Sequence, residues 1–366
     1  MPRNVILEIA AARPNFMKIA PIHREASHSK RIDPILVHTG QHYDSGMSEI
    51  FFSDLSIDEP TIRLNVGSGT HAQQTAKVLV QLEPHLERLR PAAVLVVGDA
   101  NSTLAAALCA AKLNIPVVHV EAGLRSFNRA MPEEVNRIVT DAISDLLLAP
   151  SNDAVENLLR EGHPSERIHM VGNLMIDSLD SMLAKSRSSS ILERLGLTPR
   201  GFFLATLHRP ANVDDLHELE HLIDIFVAVS RYKPVAFVVH PRTRAMIEAS
   251  EQLRPLQRAG LMLLEPLGYS EFLALEAATA GVLTDSGGIQ EETTVLGVPC
   301  LTLRDETERP VTVTQGTNHI VGQDLGAIIE IIEGIASGPL PEPRRPPLWD
   351  GRSAERVVAI LEERYG

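Results

Sequence analysis

Leu283–Leu301 reads LTDSGGIQEETTVLGVPCL. A short apolar strand over Ala280–Leu283 passes Thr284 and Asp285, turns at Ser286-Gly287-Gly288, and enters a helical run that stops at Gly297 and Pro299. A strand that feeds glycines and then a helix aims unpaired backbone N–H groups and the positive end of the helix dipole at one spot, which suits a phosphate. Ser286 adds a hydroxyl donor, and the two glycines permit close backbone approach. Glu291 and Glu292 fall in the first turns, where a carboxylate either balances the dipole or accepts from a ribose hydroxyl.

The residues around this stretch repeat its design. A fresh strand–helix alternation starts at Phe202, where LATLHRPANVDD places His208 and Arg209 at a strand's mouth. AFVVHPRTR does the same with His240, Arg242 and Arg244, and CLTLRDETERPVT adds Arg304 and Arg309. Two strand-end His/Arg pairs favour an anion site, because each arginine can make a paired contact to a phosphate.

The first half alternates in the same way. Val5–Ile9 reads as a buried parallel strand, followed by a turn over Ala10–Pro14 and a helix around Phe16–Glu25, so Arg13 and Lys18 flank the strand's carboxyl end, where open α/β sheets bind ligands. Pro34–Val37 leads into the polar loop HTGQHYDSGM, and Gly67-Ser68-Gly69-Thr70 precedes a helix over Ala72–Leu89. Ala93–Val97 ends in Gly98-Asp99, with Asp99 placed to cap the helix at Ser102 or Thr103 or to take part in chemistry. Pro116–Val120 ends in Glu121-Ala122-Gly123, and a carboxylate at that position points to function rather than packing. Pro132 opens the next helix, whose N-terminal end holds Glu133 and Glu134.

The whole is therefore α/β, with two similar halves: an N-terminal Rossmann-like domain over 1–170 and a second over 171–352. The polar stretch Ala184–Arg200 reads as the join, and a last helix, Ser353–Tyr365, is placed to pack back on the first domain. The length of 366 residues fits two domains with their own cores, and 44% hydrophobic with 22% charged residues is ordinary for a soluble protein. A net charge of −13 argues against a nucleic-acid surface. No apolar run approaches the ~20 residues of a membrane span, and the N-terminal apolar run is too short for export. Cys109 and Cys300 sit in apolar contexts, read as core thiols of a cytoplasmic protein. The fourteen histidines are dispersed, with no cluster at metal-ligand spacing. No G-x-G-x-x-G follows the first strand, so no nicotinamide is called for.

Taken together, ARPNFMKIAPI, TGQHYD, VVGDANSTLA, HVEAGLRS, MPEEVNR, VGNLMID, TLHRPANVDD, VVHPRTR, LTDSGGIQEE and RDETERPVT resemble the bacterial non-hydrolysing UDP-N-acetylglucosamine 2-epimerases, in order from about Ile6 to Gly322. The resemblance implies a GT-B arrangement, two Rossmann-like domains with the active site in the cleft between them, and reversible conversion of UDP-N-acetylglucosamine to UDP-N-acetylmannosamine. The implied route is anti elimination of UDP to a 2-acetamidoglucal followed by re-addition, with no cofactor and with a homodimer as the usual assembly. By the same resemblance Asp99, Glu121 and Glu133 match the acid/base carboxylates and His208 a residue needed for activity. Arg13 and Lys18 match the basic pair of the first loop, Ser286, Gly287 and Gly288 the phosphate cradle, Glu292 the ribose ligand, Arg309 a further cation and Phe272 an aromatic near uracil, while His240 joins the substrate-binding set from its strand-end position.

This chain departs from the family pattern in three places: Ala11-Ala12-Arg13-Pro14-Asn15 in the first loop, Gln41-His42-Tyr43 where an arginine is common at the third position, and His208-Arg209-Pro210-Ala211 where a second arginine is. The last two belong to the neighbourhood where a second UDP-sugar acts as activator in several members. Alternatives within the fold are an epimerase of a related UDP-diacetamido sugar, a hydrolysing epimerase, and a GT-B glycosyltransferase.

Overall fold

A computed structural model describes residues 3–11, 13–40, 57, 59–249, 260–338 and 342–366. The chain divides into two compact units, residues 1–180 with 347–366 and residues 181–346.

The first unit holds a parallel sheet in the order β3-β2-β1-β4-β5-β6-β7. Its strands are β1 (Asn4–Ala10), β2 (Ile32–His38), β3 (Ile62–Arg63), β4 (Ala93–Val97), β5 (Val117–Val120), β6 (Leu146–Ala149) and β7 (Ile168–Met170). Helices α1 (Arg13–Ser27), α2 (His71–Leu89), α3 (Asn101–Lys112), α4 (Pro132–Ile143) and α5 (Asn152–Arg160) alternate with them, and α6 (Leu174–Ser186) follows β7. Strands such as β4, AVLVV, are buried along their whole length, the signature of a sheet covered on both faces. β1 departs from a purely apolar run. Glu8 within it is fully buried and lies 2.7 Å from His23 Nδ1 of α1. Burial pushes the Glu8 carboxyl up against the lowering effect of His23.

The loop before α2 is a capping box. Thr70 Oγ1 accepts from Gln73 N–H at 3.3 Å, and Gln73 Oε1 accepts from Thr70 N–H at 3.1 Å. At α3 the sequence expectation of an Asp99 cap is not met: the N-cap position is Ala100, without a side-chain bond. Asp99 sits one residue too early and turns to Arg137 instead.

Residues 347–366 complete this unit. The Asp177 carboxylate on α6 accepts from Ser353 N–H at 3.2 Å and Ala354 N–H at 2.8 Å, capping the C-terminal helix Ser353–Tyr365, which packs on α1. Trp349 is buried and donates from Nε1 to Pro150 O at 3.0 Å.

The second unit repeats the plan with the order β10-β9-β8-β11-β12-β13, all parallel. Its strands are β8 (Phe203–Leu207), β9 (Val235–Val239), β10 (Met262–Leu264), β11 (Gly281–Thr284), β12 (Cys300–Thr302) and β13 (Asn318–Ile320). The helices are α7 (Ile191–Leu195), α8 (Pro210–Val213), α9 (Leu216–Val229), α10 (Pro241–Ala249), α11 (Tyr269–Ala278), α12 (Gly287–Leu296), α13 (Pro310–Thr314) and α14 (Leu325–Ser337); the C-terminal helix is α15. The stretch read as a polar join carries α7, because Ile191 is buried in this unit's core and Leu192, Leu195 and Leu197 pack beside it. Cys109 and Cys300 are both free and buried, and burial pushes their thiols up to about 11 and about 12.

Each unit thus shows the 3-2-1-4-5-6 order of Rossmann-like folds, with a switch point between β1 and β4 in one and between β8 and β11 in the other. Ligands of such sheets sit outside the strands' carboxyl ends at that point.

Candidate active site

In the first unit, β4 and β5 are neighbours with Val97 opposite Val120, so Asp99 and Glu121 emerge from adjacent strand ends. Glu121 is 5% exposed, and Lys18 from α1 reaches its Oε2 at 2.5 Å. Asn15 on the same helix donates from Nδ2 to Val97 O at 2.9 Å, holding α1 over the strand end. Gly98, at φ +69°, passes beneath this pair. A Cβ there would lie 3.3 Å from Glu121 Oε2 and 3.9 Å from Lys18 Nζ. Glu121 itself adopts φ +68°, a left-handed backbone that a glutamate occupies only at a cost.

Asp99 is half-exposed and ion-paired with Arg137 Nη1, while Asn136 Nδ2 donates to its carbonyl at 2.8 Å. Arg137 is also held by Glu134 through Nε at 3.0 Å and Nη2 at 2.8 Å. Glu134 in turn accepts from the backbone N–H groups of Ser126 and Phe127, both at 2.9 Å. Burial raises its carboxyl, but these N–H groups and Arg137 bring it below the ordinary value. Of the two acids that open α4, Glu134 is therefore a buried brace, and Glu133 is the exposed one. Arg13 is the first residue of α1.

Behind the strand ends lies a sealed network. His119 and Asp141 are fully buried, with His119 Nδ1 2.6 Å from Asp141 Oδ1 and His119 Nε2 2.9 Å from Gly98 O. Asp141 Oδ2 accepts from Gly123 N–H at 3.1 Å and from Arg125 Nη2 at 2.6 Å, and Arg125 also pairs with Glu161.

In the second unit the corresponding strand ends carry His208 and Asp285. His208 Nδ1 lies 2.7 Å from Asp285 Oδ1, with the imidazole 47% exposed and the carboxylate sealed. Asp285 also accepts from the backbone N–H groups of His208 and Arg209 and from Asn212 Nδ2. Burial raises its carboxyl, yet the His208 bonds and these N–H groups bring it below the usual range.

Ser286 stands at the N-cap position of α12, and its hydroxyl makes no capping bond. Gly287 opens the helix where a Cβ would meet Arg309 Nη1 at 2.7 Å and Glu308 Oε1 at 2.9 Å, so the guanidinium can lie against the helix start only because the residue is glycine. Gly288 follows, half-buried. Glu308 gathers three arginines: Arg309 Nη1 at 2.7 Å, Arg304 Nη2 at 3.0 Å and Arg209 Nη2 at 3.4 Å. Burial opposes its ionisation, but these cations hold the Glu308 carboxyl far below the carboxylate range.

Glu291 and Glu292 lie in the second turn of α12, whose first turn holds no acid, and both are buried. Glu291 pairs with Arg309 Nε at 2.7 Å, and Glu292 Oε1 accepts from Tyr269 OH at 2.7 Å. Glu276 of α11, fully buried, has its carboxyl pushed well up by burial and by the neighbouring Glu292. Phe272 is half-buried and packs on the core beside β8 and β11. His240 is exposed just past β9, its carbonyl accepting from Arg244 N–H at 2.9 Å.

Each unit thus gathers part of the expected set: Lys18, Asp99 and Glu121 in the first, His208, Ser286, Gly287 and Arg309 in the second. Gln41, His42 and Tyr43 lie outside the described residues. Among the residues to which sequence reasoning gave no part in the site are Asp141, Asp285, Glu308, Arg137 and His119, and it read Glu134 only as an acid that suits the helix dipole. For Asp285 alone a local signal existed, its place between a strand and two glycines. No helix of the described residues is long and apolar enough to cross a membrane.

The sequence profile of the family described as UDP-N-acetylglucosamine 2-epimerase matches residues 24–362. A protein of that name from Methanocaldococcus jannaschii is 42% identical over 361 residues, covering 96% of this chain and 97% of its own length. A UDP-2,3-diacetamido-2,3-dideoxy-D-glucuronate 2-epimerase from Pseudomonas aeruginosa is 43% identical over 333 residues, 89% of this chain and 90% of that protein. The crystal structure of the Methanocaldococcus jannaschii UDP-GlcNAc 2-epimerase in complex with UDP-GlcNAc and UDP superposes with a TM-score of 0.90, at 40% identity over 98% of this chain and 99% of that one. The two Rossmann-like sheets, their strand ends and the match along nearly the full length agree: the chain belongs to the UDP-N-acetylglucosamine 2-epimerase family.

Proposed function

We propose that the protein interconverts UDP-N-acetylglucosamine and UDP-N-acetylmannosamine. The supporting observation is a pair of carboxylates, Asp99 and Glu121, each with its own cation, at adjacent strand ends of a chain similar over nearly its whole length to an epimerase.

The reaction inverts carbon 2 without oxidation. A base removes the proton from carbon 2 while the bond from carbon 1 to the diphosphate oxygen breaks in the anti sense, giving 2-acetamidoglucal and UDP. Return of a proton to the other face of carbon 2 and re-addition of UDP at carbon 1 complete the epimerisation. In this reading Asp99, Glu121 and Glu133 carry the proton transfers, and a carboxylate paired with a cation stays ionised as a base. The departing diphosphate takes the electron pair of the broken bond and gains one negative charge, stabilised by the α12 N-terminus with Ser286, Gly287 and Gly288, by Arg309, and by His208. Glu292 takes the ribose hydroxyls and Phe272 lies near the uracil, while Arg13, Lys18 and His240 complete the substrate contacts. The enzyme works in the cytoplasm as a homodimer, without a redox cofactor or metal.

The Pseudomonas aeruginosa relative favours a second reading, a UDP-diacetamido sugar as substrate. Incubation with UDP-N-acetylglucosamine in deuterium oxide tests the first: deuterium at carbon 2 of both epimers is expected, with no free N-acetylmannosamine. Exchange with a diacetamido sugar alone would replace the substrate and keep the chemistry.

A further inference from the structure

His119 is fully enclosed, and both of its ring nitrogens face acceptors. Nε2 lies 2.9 Å from the Gly98 carbonyl, and Nδ1 lies 2.6 Å from the Asp141 carboxylate. A carbonyl oxygen has no proton to give. Nor has Asp141, since its other oxygen accepts from Gly123 N–H and from the guanidinium of Arg125, a permanent cation at 2.6 Å that favours the ionised carboxylate. Each of the two contacts is a hydrogen bond only if the ring supplies the hydrogen, so the ring carries two.

The charged groups around the ring are few: Arg125 lies between Asp141 and Glu161, and Glu161 is one-third exposed and 4.0 Å from His163 Nε2. Across Gly98 the Lys18–Glu121 pair is already balanced.

The placement of these bonds matters more than their number. Asp141 holds His119, two residues before Glu121, and Gly123, two residues after it, and so grips both sides of a residue kept at φ +68°. The other ring nitrogen holds the carbonyl of Gly98, the residue before Asp99. One side chain therefore ties together the two turns that present Asp99 and Glu121.

We propose that His119 is held as an imidazolium and is a positioning residue that locks the Asp99 turn against the Glu121 turn. It touches no substrate, and the part of the proposal that concerns turnover rests on the acid/base reading of Asp99 and Glu121.

Two measurements test it on the full-length protein. Nitrogen-15 NMR of histidine-labelled protein at pH 8, where a free imidazole carries a single proton, is expected to show His119, assigned by through-space contacts to the Gly98 turn, with protons on both ring nitrogens. A His119 ring with one protonated nitrogen overturns the proposal. His119→Asn retains a donor toward Asp141 but is too short to reach the Gly98 carbonyl. It is expected to lower kcat at least about tenfold, the scale of a sub-ångström misplacement of reacting groups, with KM and UDP affinity within about twofold of the parent. A folded His119→Asn with parental kcat overturns the proposal as well. If that variant does not fold, the NMR result on the parent decides. A parent inactive toward every UDP-sugar, with an intact imidazolium signature, would remove the functional reading and leave the charge state standing.

Discussion

Lys18 Nζ lies 2.5 Å from Glu121 Oε2, and both side chains are almost closed off from solvent. An ion pair in such a place is held by mutual need: neither charge is stable without the other. Lys18→Met is therefore expected to cost about 3–5 kcal/mol of stability, the range for leaving a buried partner unpaired. Denaturant unfolding of the variant checks it, and a loss under 1 kcal/mol would mean that Glu121 finds water in its place.

Asp99→Asn, Glu121→Gln and Glu133→Gln are each expected to lower turnover by about 100-fold or more, the scale of a lost general acid or base. UDP affinity should hardly change, because all three acids belong to the first unit and the cradle of α12 to the second. Initial rates beside calorimetry give the comparison, and a collapse of UDP affinity in all three would return these acids to a binding role.

Glu292→Ala is expected to weaken UDP by roughly 1–3 kcal/mol, the loss of hydrogen bonds to a charged group, while inorganic phosphate binds as before. A carboxylate repels phosphate, so only the ribose hydroxyls stand to lose. Tyr269→Phe removes the donor at 2.7 Å from Glu292 Oε1 and should give a smaller change in the same direction. Equal UDP affinity for parent and Glu292→Ala would take this residue out of the site.

The second unit contains acids displaced in opposite directions, and stability should follow pH accordingly. Glu308 and Asp285 lie below their ordinary values when folded, so the unfolded chain binds protons first. The stability they contribute is complete above the unfolded carboxylate range and drains away as pH falls through and beneath it. Glu276 lies well above its ordinary value, so there the folded chain keeps the proton longer and stability falls as pH rises past the unfolded value. Urea titrations from pH 3 to 8 should show a shallower acid-side slope in Glu308→Gln and a flatter neutral-side slope in Glu276→Gln. Unchanged slopes in both variants would show that these carboxyls titrate alike in the folded and unfolded chain.

The strand ends were readable from sequence because a parallel strand covered on both faces is an apolar run, and Gly98, Gly123 and Gly287 mark where each run must turn. Pro132 announced the start of α4 for an equally local reason. What stayed hidden depends on partners far along the chain. Asp285 answers to His208, 77 residues earlier, and nothing in Thr284-Asp285-Ser286 announces that histidine. Asp99 looked like a cap because a cap is a local affair, whereas Arg137 stands 38 residues on. Glu8 was absorbed into an apolar strand because the periodicity of β1 carries no trace of His23. Glu133 and Glu134 are adjacent and chemically alike, and only the three-dimensional surroundings make one a brace and leave the other open to solvent.

The return of residues 347–366 to the first unit has a consequence for the order of events at the ribosome. The second unit is continuous in sequence and can close as soon as it has been synthesised. The first, although it emerges earlier, lacks Trp349 and the helix Ser353–Tyr365 until the whole second unit has been synthesised. Until then the α1 surface that receives this helix remains uncovered, and Asp177 waits without the two N–H groups it caps. The unit begun first is thus completed after the other, and its vulnerability to proteases and chaperones is set by how quickly residues 347–366 follow.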